Sequence, residues 1–217
     1  KWPNMAAVAD WWVEKSAKQQ IEDRDKTLKN LRKTFENAEA YRRARKANVK
    51  GQAHDARWEA MIPVLAGKVP IIVHANEIQQ IQAAVAFASE HKLKMILFGG
   101  YDAPRCAQLL KKHQIPVIVG GVYRLPQQRH DPYDEAYTLP ERLRQAGLKF
   151  CISSYGRFGA ANVRNLPYHA AIAAGFGLPE DEALKAITLS PAEILGVSDR
   201  VGSLQAGKDA TLIITTG

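Results

Sequence analysis

His74 lies where an ionisable side chain could do chemistry, directly after a short apolar run. The run 70–73 predicts a buried strand, so His74 is expected at the carboxyl end of that strand. An imidazole in this position could bind a divalent metal, or it could hydrogen-bond to the neighbouring backbone. The residues alone leave both alternatives open.

A second set of ionisable side chains follows the apolar run 116–119. Arg124 is a candidate substrate contact, and His130 with Asp131 could form an acid–base pair or supply metal ligands. The alternative for His130 and Asp131 is an exposed turn, because Asp131 precedes a proline.

Small residues and arginines follow the apolar run 149–152 and lead into a predicted helix. Tyr155, Arg157 and Asn162 could hold a carboxylate or phosphate group near the N-terminus of that helix. The alternative is a flexible loop that ends in an ordinary helix cap. His169, in the first turn of the helix, is a further candidate catalytic residue.

An alternation of short apolar runs and helical patterns must position these side chains. The predicted strands are 70–73, 94–98, 116–119 and 149–152, and the helices predicted after them are 78–91, 103–113, 140–146 and 166–175. Apolar runs separated by helices indicate an α/β fold with a parallel sheet, because helices then cover the sheet. A barrel and an open sheet fit equally well, although four units are too few to close an eight-stranded barrel.

The first fifty residues carry most of the net positive charge. A helix is predicted over 5–49, with Leu28, Leu31 and Phe35 on one apolar stripe. The segment holds thirteen Lys or Arg against seven Asp or Glu, whereas the whole chain has a net charge of +8. A solvated helix face explains this surplus, with a polyanion-binding surface as the alternative. No apolar run approaches the ~20 residues of a membrane span, so neither nucleic acid nor a membrane is an expected partner.

The tail of the sequence contains a long, ordered motif. Residues 184–196 read LKAITLSPAEILG, and residues 201–210 read VGSLQAGKDA. Together they resemble the C-terminal signature of the amidohydrolase superfamily, in its imidazolonepropionase-like and prolidase-like branch. The resemblance extends back to about residue 57 and departs from the usual pattern at Thr211, where the family usually has aspartate.

The resemblance implies strands five to eight of a metal-dependent-hydrolase (β/α)8 TIM barrel, plus the start of a companion β-sandwich. We therefore expect a helical, charge-rich segment over 1–67 and the second half of the barrel over 68–198. A turn and the first returning strand of the sandwich are expected over 199–217. The sequence opens without Met and stops within a predicted strand, so a C-terminal fragment of a longer protein is expected.

The resemblance also implies a divalent metal, zinc in the first place, with His74 as the ligand from strand five. Two other ligand positions depart from the family pattern. Gly99 stands most nearly where active relatives carry the histidine of strand six, and 153–155 replace the usual Gly-Thr-Asp of strand eight. A catalytic zinc needs three protein ligands, so the alternative is that no cofactor is bound.

The function implied is hydrolysis of carbon–nitrogen bonds, in amides or cyclic amides of a small molecule, by metal-activated water in the full-length protein. The alternative is a degenerate, non-catalytic member that binds a small molecule or a protein partner. The fragment alone is expected to be inactive. It is expected to form a homo-oligomer or to pair with the missing N-terminal part, because a half-barrel exposes sheet edges.

Overall fold

The chain divides into two compact units, Lys1–Leu65 and Ala66–Gly217. The structure is a computed structural model, and it describes residues 16–49, 51, 53–154, 159 and 161–214. Within these residues no helix combines the length and the apolar character that a bilayer crossing needs.

The first unit contains helix α1 (Ala17–Lys46) and helix α2 (Ala56–Leu65). A capping box starts α1, in which the backbone N–H of Gln19 donates to Ser16 Oγ and that of Ser16 donates to Gln19 Oε1. Near the other end of α1, Tyr41 Oη donates a hydrogen bond to Glu59 Oε2 of α2 at 2.9 Å. This bond ties the two helices together within the unit.

The apolar stripe predicted on α1 is buried only towards its C-terminal end. Phe35, Ala38 and Tyr41 are buried, whereas Leu28 and Leu31 are 43% and 41% exposed. The predicted residues 5–15 of the same helix lie outside the described residues. The stripe therefore packs against α2 over about two turns of the helix.

The second unit alternates strands and helices. Its elements are β1 (Ile71–Ala75), α3 (Ile78–Glu90), β2 (Met95–Gly99), a 3₁₀ turn (Ala103–Cys106) leading into α4 (Ala107–Lys112), β3 (Val117–Val119), α5 (Glu135–Gln145), β4 (Phe150–Ile152), a 3₁₀ turn (Val163–Asn165) leading into α6 (Leu166–Gly175), α7 (Glu180–Ile187) and α8 (Leu189–Ile194). The four strands are parallel and lie in the order β1-β2-β3-β4. The predicted α/β class with a parallel sheet is confirmed, and this arrangement fits a TIM-barrel-like domain.

The sheet is apolar on both faces at its centre, which explains why its strands read as nearly continuous apolar runs. Leu97 and Val117 face the helices and are fully buried in the main core. Ile96 and Ile118 face the other way and form a smaller buried cluster with Cys151. The apolar runs of β2 and β3 thus each contribute side chains to both hydrophobic clusters.

Helix α5 begins five residues earlier than the sequence predicts. The expected start was Pro140, because proline favours the first turn of a helix. In the structure α5 spans Glu135–Gln145, and Pro140 is buried inside it. The missing N–H of a mid-helix proline removes one helical hydrogen bond. The Pro140 ring is fully buried.

Residues 199–214 form turns and unpaired extended chain. The strand predicted from 210 to 215 is not formed over the described residues 210–214, because an extended segment becomes a strand only beside a hydrogen-bonded neighbour. Ile213 and Ile214 are each 88% exposed there. The companion β-sandwich stays a prediction.

Candidate functional site

The carboxyl ends of β1, β2 and β3 surround a cavity of about 410 Å³, called the β1–β3 cavity below. Parallel strands bring their carboxyl ends to one edge of a sheet, and in α/β folds ligands bind at that edge. The side chains important here are those of His74, Asn76, Phe98, Tyr101 and Arg124. Two of the predicted site residues, His74 and Arg124, are thus brought together.

His74 lies beside Phe98, not beside Gly99. The register pairs His74 of β1 with Phe98 of β2, and their rings stack with centroids 4.5 Å apart. Gly99 is paired with Ala75, whose side chain points into the core on the opposite face. Phe98, and not Gly99, therefore lies beside His74 on the same face of the sheet, and the assignment of the strand-six ligand position to Gly99 stays a prediction. The phenyl ring of Phe98 cannot bind a metal.

Gly99 gives the Asn76 side chain its place in the cavity. Its backbone has φ +100°, and a Cβ atom at this position would overlap Asn76 Oδ1. The amide of Asn76 therefore occupies the space that any side chain at residue 99 would need. Asn76 does not cap α3, since Glu77 is the cap residue.

Arg124 places a buried positive charge in the cavity. Its guanidinium lies over the face of the Tyr101 ring, an arrangement that favours a cation electrostatically. Nε and Nη2 are buried, and no described residue accepts a hydrogen bond from either atom. Burial lowers the pKa of Arg124 to about 10, so the group is still charged at neutral pH.

Asn76 provides the matching acceptor. Its Oδ1 is buried, and none of the residues that the structure describes donates a hydrogen bond to it. Its own backbone N–H is held by Gln80 Oε1 at 3.0 Å. Buried polar groups are nearly always hydrogen-bonded, so these three atoms are exceptions within the described part of the chain.

His169 supports the loop that carries Arg124. Its Nδ1 accepts a hydrogen bond of 3.1 Å from the backbone N–H of Val122. Its ring packs edge-to-face with the Tyr123 ring, and the two ring centroids are 4.8 Å apart. Burial lowers the pKa of His169, which favours the neutral ring that this bond requires. The geometry gives His169 a positioning contact two residues from Arg124, and its catalytic role stays a prediction.

His130 and Asp131 lie in the turn between β3 and α5. His130 Nε2 is 3.9 Å from Asp131 Oδ1, and the His130 side chain is 84% exposed. Asp131 Oδ2 accepts a hydrogen bond of 2.8 Å from the backbone N–H of Gln128. This geometry matches the exposed-turn alternative, and the acid–base role stays a prediction.

The loop after β4 offers hydroxyl groups and no carboxylate at the strand end. Ser153 Oγ donates to the backbone oxygen of Val119 at 3.1 Å and so links the ends of β4 and β3. Asn162 is exposed, at the start of the 3₁₀ turn that precedes α6. The predicted substrate contacts Tyr155 and Arg157 lie outside the described residues.

The residues present do not by themselves form a metal site. Across residues 16–214, as far as they are described, no group of three or more His, Cys, Asp or Glu side chains is placed to hold a metal ion. His74 is the one predicted ligand; Phe98 lies beside it on β2, and Ser153 follows the end of β4. The donor set therefore does not fit a zinc ion, which needs three protein ligands.

Neither cysteine is suited to act as a nucleophile. Cys106 and Cys151 are free and buried. Burial raises the pKa of the Cys151 thiol to about 12 and also raises that of Cys106. Both thiols thus stay protonated at neutral pH, and the thiolate is the reactive form.

Sequence patterns do not mark Tyr101 or Asn76 as residues of the site. The only sequence signal for Tyr101 is its position two residues after the end of β2, following Gly99 and Gly100. Asn76 reads as a helix cap because it precedes α3 so closely. Their joint position in the cavity depends on the register of β1 and β2, which sequence does not specify.

The chain matches the model of the amidohydrolase family over residues 15–217. It is 27% identical over 147 residues to an imidazolonepropionase of Mesorhizobium japonicum, covering 67% of this chain and 34% of that protein. It is 26% identical over 150 residues to an imidazolonepropionase of Brucella anthropi, covering 69% of this chain and 36% of that protein. The chain thus spans about a third of the length of these curated relatives.

A solved structure agrees with the sequence relatives. The crystal structure of an amidohydrolase from Thermotoga maritima MSB8 is similar, with a TM-score of 0.66 and 27% sequence identity. The match covers 88% of this chain and 48% of that one. With the family model matching nearly the whole sequence, this chain belongs to the amidohydrolase family.

Proposed function

We propose that this chain is part of a hydrolase that cleaves a carbon–nitrogen bond in an amide or cyclic amide. The observation that carries the proposal is the polar β1–β3 cavity at the carboxyl ends of parallel strands, in a chain of the amidohydrolase family. Barrel enzymes place their active sites at this end of the strands. The relatives named imidazolonepropionase favour a cyclic amide as the substrate type.

The proposed architecture is the second half of an eight-stranded barrel, strands five to eight, followed by the start of a small β-sandwich. The sequential order of the four parallel strands supports it, as does the match to about half of the Thermotoga maritima chain. Ile72 on β1 is 50% exposed, and parallel sheets are normally covered on both faces. A missing N-terminal half, or a second copy of the chain, would cover that surface.

A divalent metal, zinc in the first place, would supply activated water in such an enzyme. His74 is the ligand that this chain offers in its described part. The other ligands would come from outside the described residues. The described part of the chain would then contribute one ligand and the walls of the substrate cavity.

The second candidate is a non-catalytic family member that binds a small molecule. The stacking of Phe98 on His74 favours the non-catalytic candidate. The neighbouring strand presents an apolar ring beside His74, where a second metal ligand would be needed. The serines after β4 favour it as well, since no carboxylate stands at that strand end. Under this alternative the cavity binds a small molecule and does not catalyse its hydrolysis.

Hydrolysis of a panel of amides by the whole protein separates the two candidates. The panel contains linear and cyclic amides, each assayed with and without added zinc for release of the amine or the ring-opened acid. Zinc-dependent turnover that is lost in His74→Ala and kept in His130→Ala would support hydrolysis. Binding of panel members without any turnover would favour the non-catalytic alternative.

A further inference from the structure

Four lysines line a second cavity, at the amino ends of the strands and thus at the opposite edge of the sheet from the β1–β3 cavity. They are Lys68, Lys94, Lys111 and Lys149, and the cavity, called the amino-end cavity below, has a volume of about 630 Å³. This volume is in the range of small-molecule sites. All four residues are exposed, so their ammonium groups are accessible to a ligand.

The main chain fixes two of these lysines at the edge of the sheet. The backbone oxygen of Lys94 accepts a hydrogen bond of 2.9 Å from the N–H of Ile71, and that of Lys149 accepts one of 2.9 Å from the N–H of Val117. Lys94 directly precedes β2, and Lys149 directly precedes β4. Because β3 lies between those two strands, the main chains of the two lysines are roughly 10 Å apart.

Lys111 brings a further charge to the same edge. It lies in the last turn of α4, and its Nζ is 3.0 Å from the position that a Cβ atom would take at Gly147. Gly147 is two residues before Lys149, so the Lys111 ammonium lies close to the segment that carries Lys149. The negative end of the α4 dipole favours a cation at Lys111. Lys68 and Lys94 lie outside helices, so this explanation does not extend to them.

A single carboxylate among the described residues lines the amino-end cavity, and it is already engaged. Glu193 of α8 forms an ion pair with Lys149, with 2.9 Å between Glu193 Oε2 and Lys149 Nζ. Lys68, Lys94 and Lys111 form no ion pair with any residue that the structure describes. The lysines and the glutamate together leave the cavity with a surplus of three positive charges.

The lining of the cavity indicates what kind of anion fits. Apolar side chains, among them Ile96, Ile194 and Leu195, form much of its wall. A cleft with charges of one sign and apolar walls concentrates the electric field and attracts counter-ions. The described lining contains lysines and no arginine. A lysine binds phosphate as a point charge and lacks the planar fork that binds a carboxylate through two parallel hydrogen bonds.

We propose that the amino-end cavity binds a small molecule that carries two or more phosphate groups, whose oxygens accept hydrogen bonds from Lys68, Lys94 and Lys111. Several linked phosphates can contact lysines that are spread along the sheet edge. The ligand lies at the opposite edge of the sheet from His74, so it leaves the β1–β3 cavity free for a substrate. This site goes beyond the proposed hydrolysis and does not depend on it.

Calorimetric titration of the whole protein with two inorganic probes tests the inference. Tripolyphosphate presents several linked phosphate groups, whereas orthophosphate presents a single one. Tripolyphosphate is expected to bind at least about tenfold more tightly, because it contacts several lysines at once and each charge-assisted hydrogen bond adds to the affinity. No binding of tripolyphosphate, or equal affinity for the two probes, would overturn the inference without need of a variant.

Two matched double variants locate the bound probe. The variant Lys94→Gln/Lys111→Gln removes two charges from the amino-end cavity and is expected to weaken tripolyphosphate binding at least about tenfold. The control Lys29→Gln/Lys33→Gln removes the same charge from helix α1 and should leave the affinity unchanged. All four substituted residues are exposed, so both variants are expected to fold.

The comparison of the two variants decides between a site and general attraction to a basic chain. Equal weakening in both variants would mean that tripolyphosphate responds to net charge alone, and an unchanged affinity in Lys94→Gln/Lys111→Gln would place the probe elsewhere. Either result would contradict the proposed site. Neither result bears on amide hydrolysis, which is assayed separately.

Discussion

At the scale of single residues, the β1–β3 cavity depends on a position that tolerates no side chain. Gly99 has a positive φ, and the Asn76 amide fills the space next to its Cα atom. The cavity therefore gains a buried amide oxygen, because residue 99 has no Cβ atom. A histidine at residue 99, the expected strand-six ligand, could be accommodated only after Asn76 moves.

Replacing Gly99 by alanine is predicted to destabilise the second unit by about 2–4 kcal/mol. The positive φ and the overlap with Asn76 each contribute to this loss. Urea unfolding of the full chain measures it. Gly67→Ala is the control, since Gly67 has φ +68° and no atom within 4 Å of its Cβ position. Losses of equal size at both positions would show that Asn76 does not fill the space beside Gly99.

The contact between His169 and the Val122 backbone predicts a pH dependence of stability. Burial lowers the pKa of His169 below its ordinary value of 6.5, so the unfolded chain binds the proton more readily than the folded chain. The contribution of neutral His169 to the free energy of unfolding is complete above pH 6.5 and is lost as the pH falls towards the pKa of the folded state. Titration of this one group changes the free energy of unfolding by at most about 1.4 kcal/mol per pH unit.

Comparing His169→Phe with the wild type isolates this effect. The variant keeps a ring against Tyr123 but loses the acceptor, so it should be about 1–3 kcal/mol less stable at pH 7.5. Its stability should also fall less steeply between pH 7 and pH 5. His130→Gln serves as the control because His130 is exposed. An unchanged pH slope in His169→Phe would show that His169 does not titrate in this range.

At the scale of elements, the inner strand β2 links β1 to β3 in the core of the second unit. Leu97 is fully buried between β1 and β3 in the main core. Leu97→Ala is predicted to reduce the free energy of unfolding by about 2–5 kcal/mol. Leu204→Ala is the control, since Leu204 is 84% exposed and should change stability by less than about 0.5 kcal/mol. Similar effects in the two variants would contradict the placement of β2 in the core.

The order and type of the elements follow from the sequence, because they depend on local apolar patterns. Helices α3 and α6 begin at the predicted residues Ile78 and Leu166. The start of α5 was predicted wrongly, because a proline normally marks a first turn and here lies inside the helix. The strand after residue 210 was expected from its apolar residues, but pairing requires a neighbour that local sequence does not reveal.

The candidate site was predictable only in part, for the same reason. The position of His74 at a strand end follows from one apolar run. The identity of the residue beside it depends on the register between two strands, which made Phe98 the neighbour in place of Gly99. The lack of acceptors for Arg124 Nε and Nη2 depends on burial and on the positions of carboxylates distant in sequence.

At the scale of the whole molecule, the proposal assigns this chain one part of an active site. The 217-residue chain alone is predicted to hydrolyse none of the amides that the whole protein cleaves, because the described residues contain one candidate metal ligand. Side-by-side assays at equal protein concentration and with added zinc check this prediction. Turnover by the isolated chain would mean that its own residues complete a site.

Metal content of the purified whole protein tests the central claim most directly. Elemental analysis of the wild type, His74→Ala and the control His130→Ala gives the amount of zinc, manganese and iron per chain. The proposal predicts a near-stoichiometric metal that is strongly reduced in His74→Ala and unchanged in His130→Ala, with all three proteins folded. A folded wild type without bound metal, or one whose metal content does not depend on His74, would contradict it.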